Sequence, residues 1–72
     1  MRRSMALGPG LVLVARDEND NPLYSRVAWT REAVERIFRV PVGVMRKRLQ
    51  ERAERLVGER GLSRVELALV EE

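Results

Sequence analysis

The first part of the chain carries hydrophobic patterns typical of β-strands. Residues 11–15 (Leu-Val-Leu-Val-Ala) form a short apolar run, and residues 23–28 alternate between two sets of side chains. Between them, residues 17–22 (Asp-Glu-Asn-Asp-Asn-Pro) are a dense cluster of turn formers. We predict a β-hairpin over residues 11–28, which must pack on the rest of the chain because an isolated hairpin is marginally stable in water.

A helical pattern begins at Thr30, a residue type favoured as an N-cap. Four apolar positions share one face at helical spacing: Ala33, Val34, Ile37 and Phe38. Two ion pairs at i,i+4 would support this helix: Glu32–Arg36 and Glu35–Arg39. We predict a helix over residues 31–39 that ends before Pro41, since the residue that precedes a proline avoids the α region.

The second helix is predicted to open at Pro41, because proline is tolerated at the first helical position. Six apolar residues recur at spacings of three and four and should form one buried stripe: Val42, Met45, Leu49, Ala53, Leu56 and Val57. The helix should end near Gly58 or Gly61, with Gly61 the better C-cap. Because the connection is short, we expect the two helices to pack as a helical hairpin or corner.

The last residues fit two elements. Ser63 followed by Glu66 has the capping-box spacing and favours a short helix over residues 64–71. The alternation of Val65, Leu67 and Leu69 is equally typical of a strand. Both interpretations stay open.

These elements predict an α+β fold, in which an N-terminal β-hairpin packs on a small two- to three-helix unit. Residues 1–10 should form a flexible segment, and Met5 is an alternative start. Residues 11–72 should form a single small domain, with the hairpin over 11–28 and the helical part over 30–72.

The composition excludes the commonest catalytic and metal-binding chemistries. The 72 residues contain no His and no Cys, so there is no imidazole base or ligand and no thiolate. The serines have no His to activate them, and the glycines fit no phosphate loop. The acidic turn over residues 17–22 lacks calcium-loop spacing, which favours a solvated turn over a cation site. We expect no cofactor and no enzymatic activity of this chain on its own.

The charge permits binding to nucleic acid or to an acidic partner but does not require it, because 11 acidic residues lie among the basic ones. The chain has a net charge of +3, and Lys47 is its only lysine among 14 basic residues. Four arginines of the second helix are the candidate partner- or anion-binding residues: Arg46, Arg48, Arg52 and Arg55. Guanidinium groups hold phosphates or carboxylates in bidentate fashion, whereas the alternative is a solvated helix face whose long side chains cover the core edge.

Within this set, Arg48, Arg52 and Arg55 should lie along one flank of the apolar stripe and Arg46 on the other. Arg48 and Arg52 should be the freest charges, while Arg55 should pair with Glu51.

Trp29 is a further candidate because it directly precedes the Thr30 cap. It should pack near Val34 as a hydrophobic staple, and the alternative is a ligand-binding or stacking surface.

The matches to a known family run from residue 29 to residue 65. They are Trp29-Thr30-Arg31-Glu32-Ala33, Arg36-Ile37, Arg39-Val40-Pro41, Val44, Arg46, Ala53-Glu54, Gly61 and Val65. On these residues the chain resembles the small C-terminal domain of the B subunit of light-independent protochlorophyllide reductase, a domain that also occurs as short stand-alone proteins. The spacing after Pro41 needs a one-residue shift, and Glu66 stands where the family usually has Thr. The resemblance implies an accessory domain that binds a protein partner, with a tetrapyrrole as the alternative ligand, and no reductase activity in this chain alone.

A shorter stretch, Val40 to Leu49, is similar to the turn and recognition helix of sigma-factor region 4. In that comparison Arg46, Lys47 and Arg48 would face DNA. Glu35 and Arg39 stand where the motif has a small residue and a glycine. Nucleic-acid binding is therefore the alternative function.

No stretch approaches the roughly 20 apolar residues of a membrane span. The apolar run after Met1-Arg2-Arg3 is too short for a signal peptide. We therefore expect a cytoplasmic protein that does not bind membranes.

Overall fold

The computed structural model describes residues 10–72, so the predicted flexible segment lies outside the described residues except for its last position. The elements in chain order are β1 (Val12–Arg16), β2 (Pro22–Ser25), β3 (Ala28–Trp29), α1 (Arg31–Ile37), α2 (Val44–Arg60), β4 (Arg64–Val65) and α3 (Leu67–Glu71). The predicted α+β class is confirmed: an N-terminal antiparallel hairpin is combined with three helices.

The hairpin pairs β1 with β2 in antiparallel register. Leu13 lies opposite Tyr24 and Ala15 opposite Leu23, so Val14 is an extra residue on β1 and forms a bulge. The predicted alternation appears in β2, where Leu23 and Ser25 are buried. The second strand ends at Ser25, three residues before the predicted end of the hairpin.

A second, two-stranded sheet joins the middle of the chain to its last quarter. β3 pairs with β4 in parallel, with Ala28 opposite Arg64 and Trp29 opposite Val65. Residues 64–71 thus form first a strand and then a helix, so each open interpretation applies to part of the segment. The capping-box prediction is wrong, because α3 begins after Glu66 and Ser63 lies before the strand.

Helix α1 begins as predicted. The Thr30 Oγ1 accepts a hydrogen bond from the backbone N–H of Ala33 at 3.2 Å. The helix ends at Ile37, two residues earlier than predicted. Neither predicted i,i+4 ion pair of this helix is found in the described part of the chain; the Arg36 Nε instead lies 3.8 Å from a carboxylate oxygen of Glu71.

Helix α2 begins at Val44, so the prediction that Pro41 opens it is wrong. Its N-cap is Gly43, whose φ of 140° disfavours other residues. The predicted end is confirmed, since Gly61 adopts the left-handed conformation with a φ of 66°. The backbone N–H of Leu62 donates to the carbonyl of Val57 at 2.9 Å, which completes a Schellman motif.

The core is made of eight buried apolar side chains from five elements. They are Leu23, Ala33, Ile37, Ala53, Val57, Val65, Leu69 and Val70. Helix α3 packs on both α1 and α2, whereas α1 and α2 contact each other only slightly. The predicted pair of packed helices is therefore held together mainly through α3.

The predicted apolar stripe of α2 is buried only in its second half. Ala53 and Val57 are buried, but Val42 is 60% exposed and Met45 68% exposed. Their predicted burial is wrong because α3 and β4 lie against the C-terminal half of α2 and leave its start uncovered. Among residues 10–72, no helix combines the length and the apolar character needed to cross a bilayer.

Candidate functional site

Arg46 does not project outward as the helical pattern predicts. It is 8% exposed and its guanidinium carbon lies 5.0 Å from the ring centroid of Phe38. The guanidinium donates three hydrogen bonds: Nε to the Val40 carbonyl (2.8 Å), Nη1 to Asp17 Oδ2 (2.9 Å) and Nη2 to the Phe38 carbonyl (3.3 Å). The prediction that the Arg46 guanidinium is available to a partner or anion is wrong, since the buried side chain closes the connection between α1 and α2.

The partner of Arg46 lies in the acidic turn. The side chain of Asp17 is only 6% exposed and accepts the backbone N–H groups of Asn21 (2.8 Å) and Asn19 (2.9 Å). The Asn21 N–H first, and then Arg46, lower the pKa of Asp17 from 3.8 to about 2, although burial opposes them. The predicted solvated turn is thus wrong for Asp17, which faces inward, and no carboxylate cluster in residues 10–72 is suited to a metal ion.

Three polar residues of α2 fasten the hairpin to the helix. Arg46, Gln50 and Glu54 follow one another at four-residue spacing, which places them on one side of the helix; we call them the polar row. The Gln50 Nε2 donates to the carbonyl of Tyr24 at 2.6 Å, and the Ser25 Oγ donates to Glu54 Oε2 at 2.6 Å. The polar row therefore sets the position of the hairpin against the first half of α2.

Trp29 is linked to the same network. Its Nε1 donates to the Oγ of Ser25 at 2.9 Å, and the half-buried ring packs against the core. Trp29 lies in β3 opposite Val65, an arrangement that the staple prediction does not include.

The other three candidate arginines share the flank that the pattern predicts, but their charges are not equally free. Arg48 is exposed and has no acidic partner within residues 10–72. Arg55 Nε lies 3.8 Å from a carboxylate oxygen of Glu59, so the predicted partner Glu51 is wrong. Both side chains of this pair are exposed, and such pairs contribute little to stability.

Arg52 is half-buried, which differs from the predicted free charge. Its Nη2 donates to the backbone carbonyl of Glu72, while its Nε is buried without an acceptor in the described chain. A buried donor without a partner costs about 1–3 kcal/mol. The described chain therefore satisfies the Arg52 guanidinium only in part, one helical turn from Arg48.

The start of α2 presents apolar side chains beside these cations. Val44 is 66% exposed and Met45 68% exposed. Next to Met45 lies a shallow groove of about 260 Å³, lined by Val40, Met45, Arg48, Leu49 and Arg52; we call it the basic groove. Exposed apolar patches rimmed by polar residues mark interaction sites.

Sequence reasoning missed the exposed residues Val44 and Met45. It assigned Met45 to the core because its spacing fits the stripe. One signal was available, because Val44 is apolar yet lies off the stripe, on the side of α2 that faces solvent.

The surroundings of this surface are electropositive. Arg39, Lys47 and Arg48 are exposed, and none has an acidic partner in the part of the chain that the structure describes. The first turn of α2 contains no acidic residue that would offset the positive end of the helix dipole.

Half of the sixteen residues compared with the reductase domain maintain the fold. They are the cap Thr30, the core residues Ala33, Ile37, Ala53 and Val65, the polar-row members Arg46 and Glu54, and the helix end Gly61. Comparisons of the chain with protein-family models, with curated proteins and with solved structures give no match.

Proposed function

We propose that this protein is a non-catalytic protein-interaction domain that binds a protein partner through the exposed N-terminal half of α2. The observation that carries the proposal is the exposure of Val44 and Met45 beside Arg48, a cation without an acidic partner in residues 10–72. The type of domain follows from the resemblance to the C-terminal domain of light-independent protochlorophyllide reductase.

The apolar residues supply a driving force for association. Burial of a large apolar side chain contributes about 1.5–3 kcal/mol. The cost of ordering the surface is reduced because the polar row holds this half of α2 against the hairpin on its other side.

The residue inventory favours binding over catalysis. The sequence has neither His nor Cys, and the buried Ser25 is bonded to Glu54 and Trp29. Half of the positions shared with the reductase domain hold the fold, as expected for a module whose role is to present a surface.

A pull-down from native extract tests the proposal. The full chain serves as bait in three forms: wild type, Met45→Glu, and Leu62→Glu as a matched control at an exposed apolar residue outside the surface. We expect a protein partner that wild type and Leu62→Glu retain and Met45→Glu loses, with unchanged circular dichroism in all three. A partner that all three retain would contradict the proposal.

The DNA-binding alternative requires a different position for Arg46. It requires Arg46 to face the duplex, but Arg46 is buried against Phe38 and bonded to Asp17. Two results would favour this alternative and defeat the proposal. One is binding of the wild-type chain to arbitrary duplex DNA at low salt, weakened in Arg48→Ala. The other is a pull-down that recovers only RNA polymerase or DNA.

A further inference from the structure

We infer that the docking segment of the partner combines a carboxylate with a large apolar side chain, the apolar group seated in the basic groove and the carboxylate bound by Arg48 and Arg52. This inference rests on the proposed function and specifies the chemistry of its partner.

The apolar half of the inference comes from the shape and lining of the basic groove. Val40, Met45 and Leu49 form its apolar walls, and its volume is about 260 Å³. Pockets for drug-sized ligands run from about 300 to 1,000 Å³. The groove is therefore matched to a single side chain of a partner protein and is small for a cofactor.

The inferred carboxylate of the partner follows from Arg48, which forms no ion pair in residues 10–72, and from the neighbouring Arg52. Arg48 and Arg52 are one helical turn apart and both line the groove. Arg48 has no acidic partner in residues 10–72, and the Arg52 Nε has no acceptor there. A guanidinium binds a carboxylate through two parallel N–H donors.

Arg48 has no counter-charge in residues 10–72, because every ion pair found there involves another arginine. The six pairs between described residues are Asp17 with Arg46, Asp20 with Arg16, Glu59 with Arg55, Glu66 with Arg64, Glu71 with Arg36, and Glu72 with Arg60. Arg52 differs from Arg48, because its Nη2 donates to the main-chain oxygen of Glu72. Arg60 first, and then Arg52, lower the pKa of the Glu72 carboxyl. The carboxylate that pairs with Arg48 would then come from the partner.

The apolar walls distinguish this partner from a phosphate backbone. Phosphate contacts are made by cations and polar groups and gain nothing from neighbouring apolar walls. A protein segment with adjacent acidic and apolar side chains satisfies both features of the groove at once.

Selection from a library of short random peptides tests the inference. The immobilised full chain is the target, and one selected peptide is then synthesised for affinity measurements by fluorescence anisotropy. We expect selected peptides to place Asp or Glu within one helical turn of Leu, Ile, Phe or Met. Recovery of no binder, or of binders without acidic enrichment, would overturn the inference.

Charge reversal makes the test specific to the basic groove. Arg48→Glu should weaken binding of the selected peptide by roughly tenfold or more, and Met45→Glu should do the same. The matched control is Arg55→Glu, which leaves the groove intact and should change the affinity less than twofold, roughly. A peptide whose acidic residue is replaced by lysine should bind Arg48→Glu better than it binds wild type. Equal binding to wild type and Arg48→Glu, or full displacement by inorganic phosphate alone, would overturn the inference.

The two proposals fail in distinguishable ways. A pull-down partner that is lost with Met45→Glu but kept with Arg48→Glu would defeat the acidic segment and leave the interaction domain standing. The peptide selection could instead yield acidic, apolar peptides while the pull-down yields no partner. That outcome would defeat the proposed function but support the inferred chemistry of the basic groove.

Discussion

The two halves of α2 are attached to the rest of the molecule by different forces. The C-terminal half, residues 53–60, buries Ala53 and Val57 among residues of α1, α3 and β4. Residues 44–52 make up the N-terminal half, whose polar contacts come from Arg46 and Gln50 and reach the hairpin. One helix is thus fixed by apolar packing at one end and by hydrogen bonds and an ion pair at the other.

This difference explains why Val44 and Met45 stay exposed at the start of α2. The polar contacts of the first half use one side of α2 and leave the side that carries Met45 uncovered. In this half the polar contacts add to the packing of the half-buried Leu49 against the core. The exposed start of the stripe, which includes Met45, is then available for a partner.

The largest expected effect contrasts an apolar residue from each half. Val57→Asp should destabilise the fold by more than about 4 kcal/mol, because it buries a charge in the core. That is a large part of the roughly 4–11 kcal/mol expected for 72 residues. Val44→Asp should stay within about 0.5 kcal/mol of wild type, or gain slightly, since it places a carboxylate at the start of α2. Urea unfolding measures the stability of both variants. Equal losses of unfolding free energy would mean that the N-terminal half of α2 is also buried.

The next effect concerns the ion pair that anchors the N-terminal half. Arg46→Met should lower the urea midpoint clearly more than Arg48→Met does, because it removes the cation paired with Asp17 and the donor to two backbone carbonyls. Equal midpoints for the two variants would contradict a structural role for Arg46.

The same variant should change the pH dependence of stability. The folded-state pKa of Asp17 is depressed, so its stabilising effect is fully present above pH 3.8 and is lost as the pH falls towards 2. In Arg46→Met the Asp17 pKa should rise but stay depressed, since the N–H of Asn21 still donates. Carboxyl-carbon NMR titration measures this change, and an unaltered Asp17 pKa would argue against the contact.

A smaller effect tests the link between the hairpin and the middle of α2. Ser25→Ala should cost about 1–3 kcal/mol, because the Nε1 of Trp29 loses its acceptor and Glu54 loses a donor. The exposed Ser63 is the matched control, and Ser63→Ala should lie within about 0.5 kcal/mol of wild type. Trp29 fluorescence during urea unfolding reports both variants, and identical curves would show that the network contributes nothing.

The smallest effect uses two glycines of the C-terminal half. Gly61→Ala should destabilise by about 1–2 kcal/mol, since its φ of 66° disfavours a Cβ. Gly58→Ala should stabilise by about 0.5–1 kcal/mol, because Gly58 is helical and no atom lies within 4 Å of an added Cβ. The midpoint temperature of thermal unfolding should fall in Gly61→Ala and rise in Gly58→Ala. Midpoint shifts of the same sign in both variants would contradict the assigned end of α2.

Local signals predicted several elements correctly. The turn formers of residues 17–22 placed the hairpin, the Thr30 side chain began α1, and Gly61 ended α2. Each of these features depends on contacts between residues close together in the chain, which a sequence pattern records directly.

Long-range contacts were not predictable in the same way. The pairing of Trp29 with Val65 and the bond from Arg46 to Asp17 join residues far apart in the sequence. Each partner has an ordinary local role without the other: an acidic residue in a turn, or an arginine on a helix. Only the arrangement of the elements makes them partners.

The candidate site shows the same division. The sequence by itself determined that α2 is amphipathic and that Arg48, Arg52 and Arg55 share one flank, because helical periodicity fixes directions around the axis. The tertiary structure alone decided that Arg46 is buried and Met45 exposed. Periodicity says which side chains point the same way, whereas burial depends on where α3 and the hairpin dock along the helix.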